Sequence, residues 1–207
     1  MNKSLRIYKR FVTCCGIGCI PWAPGTFGSL LGACIYFALY SLSVDNRIID
    51  VVMFLLFIAS IPAISRYIRV LVKLAYDEQM QGAYEAQNFG RAEICEDLSI
   101  GATQVTPKKS MVVADIFDPT EVVIDEVFGQ MLTLDIIYHY DINLLRSGYL
   151  WWIIAFVTFR LFDILKPFPV GWIDRRIKNA WGVMLDDTFA GILAAIVVCM
   201  MSDAYVI

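Results

Sequence analysis

The chain has 207 residues, of which 58% are hydrophobic, whereas soluble domains are typically about half apolar. The net charge is −3, so the composition gives no reason to expect a nucleic-acid partner. The length predicts a single domain over residues 1–207, with room for an insertion. The six cysteines lack the paired spacing of a zinc site, which predicts reduced cysteines that pack beside apolar segments.

A glycine- and proline-rich segment at residues 16–29 predicts a rigid turn that leads into a helix. Thr26 and Ser29 would lie near the N-terminus of that helix, where free N–H groups and the helix dipole attract anions. No strand precedes the glycines and no Gly-Lys-Ser/Thr follows them, so neither a dinucleotide fingerprint nor a Walker loop is present. A purely structural turn remains an equal alternative.

Four apolar runs, nearly free of charge, have the composition of membrane helices. They cover residues 27–44, 48–64, 148–162 and 188–201. A helix needs roughly 20 apolar residues to cross the bilayer core, with somewhat fewer at the short end. Lys and Arg concentrate at the N-terminus, after the second run and after residue 162, which places those segments in the cytoplasm. This topology requires a further span between Glu121 and Tyr140. The prediction is an all-α, polytopic membrane helical bundle of about five helices.

The segment around residues 66–118 differs in character from the apolar runs. Its first half has apolar residues at helical spacing, and its second half mixes charges, glycines and short apolar patches. We expect a cytoplasmic insertion here, and its composition assigns no chemistry to it.

The span between Glu121 and Tyr140 has a strong predicted start and an unusual first turn. The sequence Asp-Pro-Thr-Glu at residues 118–121 combines an N-cap, a proline at the first helical position and a capping glutamate, which predicts a helix beginning there. Asp125 and Glu126 follow at once. Two carboxylates in a membrane helix are costly unless they face cations, a metal or water. A purely structural role for this pair is therefore disfavoured.

The next two spans also carry charges at their predicted cytoplasmic ends. Arg160, Asp163 and Lys166 are three residues apart and form one charged stripe, and Asp186 and Asp187 begin the last span. Helix capping by either of these last aspartates, and a structural ion pair between Arg160 and Asp163, remain open alternatives. Five carboxylates gathered at one level predict a Mg²⁺ site, and the neighbouring cations suit a phosphorylated substrate.

Several phosphatase chemistries are excluded by missing residues. The only histidine, His139, falls at the outer end of its span, away from the carboxylates, which argues against a histidine nucleophile. No cysteine is followed by an arginine six residues later, and no Asp-x-Asp sequence occurs. Metal-assisted hydrolysis remains, with a carboxylate nucleophile as a variant.

Four blocks of sequence, in order, resemble the motifs of the phosphatidylglycerophosphatase A family. They cover residues 21–29, 123–130, 160–169 and 182–187. The resemblance covers the chain except residues 66–111, a segment that looks longer than usual. Residues 179–181, Asn-Ala-Trp, depart from the glycine-rich stretch expected there. The resemblance implies a multi-pass enzyme of the bacterial inner membrane, with its site facing the cytoplasm. Such an enzyme uses Mg²⁺ to hydrolyse phosphatidylglycerophosphate, a phospholipid of the inner leaflet, to phosphatidylglycerol and phosphate.

The resemblance and the charge pattern together assign candidate roles. The candidates for catalysis are Asp125, Glu126, Asp163, Asp186 and Asp187, of which all but Asp186 are predicted metal ligands. The candidates for substrate binding are Thr26, Ser29, Arg160, Lys166 and Arg175. A competing hypothesis is a small ion or proton transporter, which predicts charges towards both membrane faces and not at one. A noncatalytic membrane assembly subunit is a third, and it leaves the gathered charges without a purpose.

Overall fold

The computed structural model describes residues 3–93 and 119–206. Every regular element in these two ranges is helical, which confirms the all-α prediction. The elements are α1 (Lys3–Val12), a 3-10 helix (Cys14–Cys19), α2 (Pro24–Ser41), α3 (Asn46–Glu93), α4 (Ile124–Tyr140), α5 (Ile142–Arg146), α6 (Tyr149–Leu165), α7 (Val170–Arg176) and α8 (Ala180–Val206).

Helix α4 is the centre of the bundle. It packs most extensively against α8 and α2, and α8 also packs against α6 and α7. Buried side chains occur all around α4, and Leu134 and Ile137 among them have no exposed surface. A helix that is buried on all sides needs no polar face, which is why apolar residues occur all round α4 and no amphipathic stripe stands out.

Glycines allow α2 and α8 to approach α4 closely. A Cβ atom at Gly32 of α2 would lie 2.5 Å from the backbone oxygen of Val127, and one at Gly191 of α8 would lie 2.6 Å from that of Gly129. Thr133 reinforces the second contact, because its hydroxyl donates a hydrogen bond to the Gly191 carbonyl (3.2 Å). These contacts hold α2, α4 and α8 together next to the carboxylates of α4 and α8.

Helix α3 is longer than the sequence predicted. It runs without a break from Asn46 to Glu93 with Pro62 inside it, so the expected boundary near Arg66 falls within a continuous helix. The predicted helix in the first half of the insertion is confirmed as part of this element. Residues 94–118, the rest of the predicted insertion, lie outside the described residues.

The predicted start of the central helix at residues 118–121 is wrong. Helix α4 begins at Ile124, and residues 119–122 form a turn in which the Val122 N–H donates to the Pro119 carbonyl (2.9 Å). Glu121 pairs with Lys9 (2.9 Å) and accepts a hydrogen bond from Tyr67 (2.8 Å). These contacts with α1 and α3 replace the predicted capping contact. Asp118 lies outside the described residues.

Among the residues that the structure describes, two helical segments, Asn46–Asp77 and Ala180–Ala204, are long and apolar enough to cross a membrane by length and composition. Helices α2, α4 and α6 have 18, 17 and 17 residues, which is short of the roughly 20 that a straight span needs. The count of five spans therefore stays a prediction. Helix α3 presents a strongly apolar outer face, with Val51, Phe54 and Leu55 more than half exposed.

Candidate active site

Three carboxylates converge where α4 and α8 meet. Asp125 and Glu126 lie in the first turn of α4, and Asp187 lies in α8. One oxygen from each lies within 4.8 Å of the other two. We call these residues the carboxylate trio. Asp125 and Asp187 are 7% and 3% exposed, so their charges are removed from water. The predicted start of the last span at Asp186 is wrong, because α8 begins at Ala180, and neither Asp186 nor Asp187 caps it.

The trio holds polar atoms that need a ligand. Within the described part of the chain, Asp125 Oδ1 and Glu126 Oε2 are buried and accept no hydrogen bond. A buried carboxylate without donors is strongly disfavoured, and a bound cation, proton or water relieves this cost. Gln130, one turn after Glu126 on α4, is fully buried, and both polar atoms of its side chain are likewise without a hydrogen-bond partner among these residues.

An arginine borders the trio on the side of α6. Arg160 Nη1 forms a short ion pair with Asp163 and donates to the hydroxyl of Ser29 (3.2 Å). Ser29 is fully buried and donates in turn to the Gly25 carbonyl (2.9 Å). Asp163 lies close enough to Glu126 to repel it electrostatically. Arg160 Nε is buried and has no hydrogen-bond partner among the described residues. The guanidinium is therefore fixed through Nη1, and Nε can donate to an oxygen of a ligand.

A lysine occupies the other side of the site. Lys166 Nζ donates to Asp186 (2.8 Å) and to Asp174 (2.9 Å). Burial by itself would lower the pKa of Lys166. The charges of Asp186 and Asp174 and their hydrogen bonds to the ammonium outweigh burial, so the net pKa is raised and Lys166 stays charged. Asp186 therefore faces Lys166, and its other oxygen accepts the N–H of Asp187 (3.1 Å).

The structure groups most of the predicted site residues. Asp125, Glu126 and Asp187 form the trio, Asp163 with Arg160 and Ser29 borders it, and Asp186, paired with Lys166, directly precedes Asp187 on α8. Thr26 is half-buried in the first turn of α2, one turn before Ser29. Arg175 is exposed in the last turn of α7.

Sequence reasoning missed two residues of the site. Gly25 adjoins the trio so closely that a Cβ atom there would lie 2.3 Å from Glu126 Oε1. Asp174 shares Lys166 with Asp186, and nothing in its local sequence distinguishes it. The sequence did place Gln130 on the same helix face as Glu126, but assigned it no role.

The expectation that buried carboxylates collect at one end of the bundle is incomplete. Asp135, only 9% exposed, lies ten residues beyond Asp125 on α4, which is about 15 Å along the helix axis. The predicted placement of His139 at the end opposite to the trio is confirmed, because it lies in the last turn of α4.

The described residues form an all-helical fold with a buried carboxylate cluster, next to which an arginine and a lysine are held by ion pairs. The model of the phosphatidylglycerophosphatase A family matches residues 10–80 and 97–202, so the chain belongs to that family.

Individual relatives are similar over different lengths. Phosphatidylglycerophosphatase A of Haemophilus influenzae is 39% identical over 83 residues, which are 40% of this chain and 47% of that protein. Phosphatidylglycerophosphatase A of Escherichia coli is 34% identical over 80 residues, 39% of this chain and 42% of that protein. The chain thus spans just under half the length of these two relatives. A Bacteroides thetaiotaomicron protein, named as a candidate phosphatidylinositol-3-phosphatase, is 29% identical over 186 residues, 89% of this chain and 87% of that protein. No solved structure matches the chain.

Proposed function

We propose that this protein is a lipid phosphatase that uses Mg²⁺ to hydrolyse phosphatidylglycerophosphate to phosphatidylglycerol and phosphate. The observation that carries the proposal is the carboxylate trio, whose buried oxygens lack donors, beside a guanidinium with a free Nε. Family membership and the names of two relatives support the choice of substrate.

The residues of the trio suit Mg²⁺. Its donor atoms are all carboxylate oxygens, the ligands that this hard cation prefers, and two of them are buried without another partner in the described structure. Asp125, Glu126 and Asp187 would hold the ion, with Asp163 adjacent and already paired with Arg160. When bound, Mg²⁺ would polarise the phosphoryl group and lower the pKa of an attacking water.

The phosphate group would be held by cations and by the start of α2. Arg160 is oriented by Ser29 and Asp163, so its guanidinium is pre-organised for phosphate oxygens. The first turn of α2, with Gly25 against both Glu126 and Arg160, adds the positive end of a helix dipole. Lys166 would supply further positive charge, and Thr26 a hydroxyl.

Proton transfer is favoured at the carboxylates themselves. Several anionic groups in one buried site repel one another, so a carboxylate that accepts a proton from the attacking water relieves that repulsion. Asp163 is suited to this task because it lies beside Glu126 and Asp187, and its partner Arg160 keeps it oriented. Asp186, held by Lys166, would instead fix α8 against the end of α6.

The protein would lie in the bacterial inner membrane with the trio towards the cytoplasm. The apolar outer face of α3 and the two helices long enough to span a bilayer support this placement. The basic residues Lys9 and Arg10 in the last turn of α1 agree with a cytoplasmic location for that end of the bundle. Substrate would then enter sideways from the inner leaflet, with its acyl chains remaining in lipid.

The test is phosphate release by the purified protein in detergent, given phosphatidylglycerophosphate with and without Mg²⁺. We expect Mg²⁺-dependent release that is lost in Asp125→Asn and Asp163→Asn, and retained in Asp203→Asn, an exposed aspartate bonded to Tyr140 at the opposite end. Release without Mg²⁺, or full activity of both site variants, would contradict the proposal.

A second candidate substrate is a phosphoinositide. The Bacteroides relative, aligned over 89% of this chain, is named for phosphatidylinositol 3-phosphate. The same assay with that lipid decides between the two: we expect a kcat/KM at least tenfold lower than for phosphatidylglycerophosphate, and the reverse ratio would reassign the substrate.

Ion or proton transport is the second candidate function, and the buried Asp135 favours it because carboxylates now occur at both ends of α4. Transport predicts ion flux across liposomes containing the protein, with loss of flux in Asp135→Asn. The phosphatase proposal predicts no such flux and little effect of Asp135→Asn on phosphate release.

A further inference from the structure

A second cluster of ligating side chains lies at the end of α4 opposite to the trio. Asp50 of α3 meets Asp135 and His139 of α4, and one donor atom from each lies within 4.8 Å of the others. Oδ2 of Asp50 is 3.8 Å from His139 Nε2, and Oδ2 of Asp135 is 3.7 Å from His139 Nδ1. Asp135 is buried, whereas the Asp50 and His139 side chains are 45% and 51% exposed, so an ion in solution can reach them.

Neighbouring groups orient two of these three residues as they do around bound metals. The buried hydroxyl of Tyr36 donates to Asp135 Oδ1 (3.1 Å), which leaves Oδ2 on the side of the histidine. His139 Nδ1 lies 3.0 Å from the backbone carbonyl of Asp135. If Nδ1 carries the proton, it donates to that carbonyl, and the lone pair of Nε2 is free and lies near Asp50. Ligating histidines are held in this manner by a carbonyl or carboxylate behind them.

The distances suit an ion better than direct contacts. At 3.8 Å, Asp50 and His139 are too far apart for a hydrogen bond. Two ligands of one tetrahedral zinc ion, each about 2.0–2.1 Å from the metal, are about 3.3 Å apart. Asp50 Oδ2 already lies near Nε2, whereas Asp135 Oδ2 lies nearest to Nδ1, so the exposed His139 ring would tilt to bring Nε2 towards both carboxylates.

We propose that Asp50, Asp135 and His139 bind one divalent transition-metal ion of the Zn²⁺ class, at a site separate from the trio. One imidazole nitrogen with two carboxylates favours such ions over Mg²⁺, for which the all-oxygen trio is suited. The two carboxylates balance the charge of the ion, and the exposed side leaves a fourth position for water. The site does not rest on the proposed phosphatase function. It lies about 15 Å along α4 from Asp125, so the ion acts as a clip between α3 and α4 and takes no part in reactions at the trio.

The single histidine of the chain makes this proposal directly testable. The metal-stripped protein, purified without a polyhistidine tag, is treated with diethyl pyrocarbonate in saturating Mg²⁺, with and without Zn²⁺. We expect Zn²⁺ to slow acylation of His139 at least tenfold, and Mg²⁺ alone to leave it unprotected. Protection should need at least tenfold more Zn²⁺ in Asp50→Asn, in line with the loss of one ligand. Asp203→Asn, which changes an exposed aspartate at the same end, should bind Zn²⁺ as the parent does.

The zinc content of the protein after dialysis against Mg²⁺ is an independent measure of binding. It can also be applied to His139→Gln, which has no histidine to acylate. We expect the parent to retain one Zn²⁺ more per chain than His139→Gln, and Zn²⁺ to raise the unfolding temperature of the parent alone. Equal zinc content in the parent and His139→Gln would overturn the proposal and leave His139 as an ordinary ion-pair partner of the two aspartates. Equal protection by Mg²⁺ would overturn the assignment to the Zn²⁺ class. Size-exclusion elution identical to that of the parent shows that each variant is folded.

Discussion

A methyl group on the α carbon of Gly25 would lie 2.3 Å from Oε1 of Glu126 and 3.3 Å from Nη1 of Arg160. The first turn of α2 therefore touches both an anionic and a cationic residue of the candidate site, and it does so only because no side chain is present. The atom that a side chain would meet first is the flexible end of Glu126. At Gly32, one of the glycines between α2 and α4, it would meet the backbone oxygen of Val127 at 2.5 Å.

This contrast predicts opposite effects for two glycine-to-alanine variants. Gly25→Ala should lower phosphate release at least tenfold while the free energy of unfolding changes by less than about 1 kcal/mol, because only a carboxylate has to move. Gly32→Ala should destabilise the protein by about 1–3 kcal/mol, because backbone has to move. Denaturant titration and the release assay measure both quantities. A fully active Gly25→Ala protein would show that the Gly25 contact has no functional role.

Replacing one carboxylate of the trio by an amide should lower the activity and raise the stability of the protein without Mg²⁺. Asp125→Asn and Asp187→Asn should each reduce phosphate release by roughly 100-fold, which corresponds to about 2.7 kcal/mol of transition-state stabilisation. Without added Mg²⁺ both variants should unfold at a higher temperature than the parent, because one of several mutually repelling buried carboxylates is gone. Thermal unfolding with and without Mg²⁺ checks this. Variants that are less stable than the parent in the absence of Mg²⁺ would argue against uncompensated repulsion in the trio.

Ser29 should act through Arg160 and hence on substrate binding. Ser29→Ala removes the acceptor of one Arg160 hydrogen bond, worth about 1 kcal/mol, so KM should rise roughly fivefold with little change in kcat. Ser60→Ala is a matched control, since Ser60 is also fully buried and also bonds the carbonyl four residues earlier. Equal effects of the two substitutions on KM would mean that the serine acts through helix stability alone.

The ion pair between Lys9 and Glu121 should make stability depend on pH in the acid range. The hydrogen bond from Lys9 lowers the pKa of Glu121 below its ordinary value of 4.5, although burial opposes the shift, and the same bond raises the pKa of Lys9. Because the folded-state pKa of Glu121 is lowered, its contribution is fully present above pH 4.5 and is lost as the pH falls through the folded-state pKa. Both side chains are more than a third exposed, so the contribution is below about 1 kcal/mol.

Glu121→Gln tests that dependence. The variant should be slightly less stable than the parent at neutral pH, and the two should converge as the pH falls well below 4.5. Denaturant titrations across that range measure the difference, and one that stays constant with pH would remove the ion pair as its cause.

Local sequence was sufficient for the kind of structure and for the location of most of the site. Apolar runs predicted helices, and Asp125, Glu126 and Asp163 were singled out because charges in such runs are costly. Local sequence was insufficient to predict positions at which contacts with distant residues replace contacts within the same segment. Glu121 was predicted to cap a helix, yet it bonds Lys9 of α1 and Tyr67 of α3, so α4 begins later. Asp135 was overlooked because the hydroxyl that stabilises it comes from Tyr36, 99 residues earlier.

The sequence by itself determined that the chain is helical and apolar, that carboxylates interrupt its apolar segments, and to which family the motifs belong. These properties depend on residue type and spacing within one helix, which a sequence displays directly. Only the tertiary structure decided which carboxylates share a ligand and which face a cation. Asp186 and Asp187 are neighbours in the chain, yet Asp186 faces Lys166 while Asp187 joins Asp125 and Glu126. Adjacent residues of a helix point about 100° apart. The packing of α8 against both α4 and α6 decides which partner each aspartate meets, and packing between helices is not encoded within any one of them.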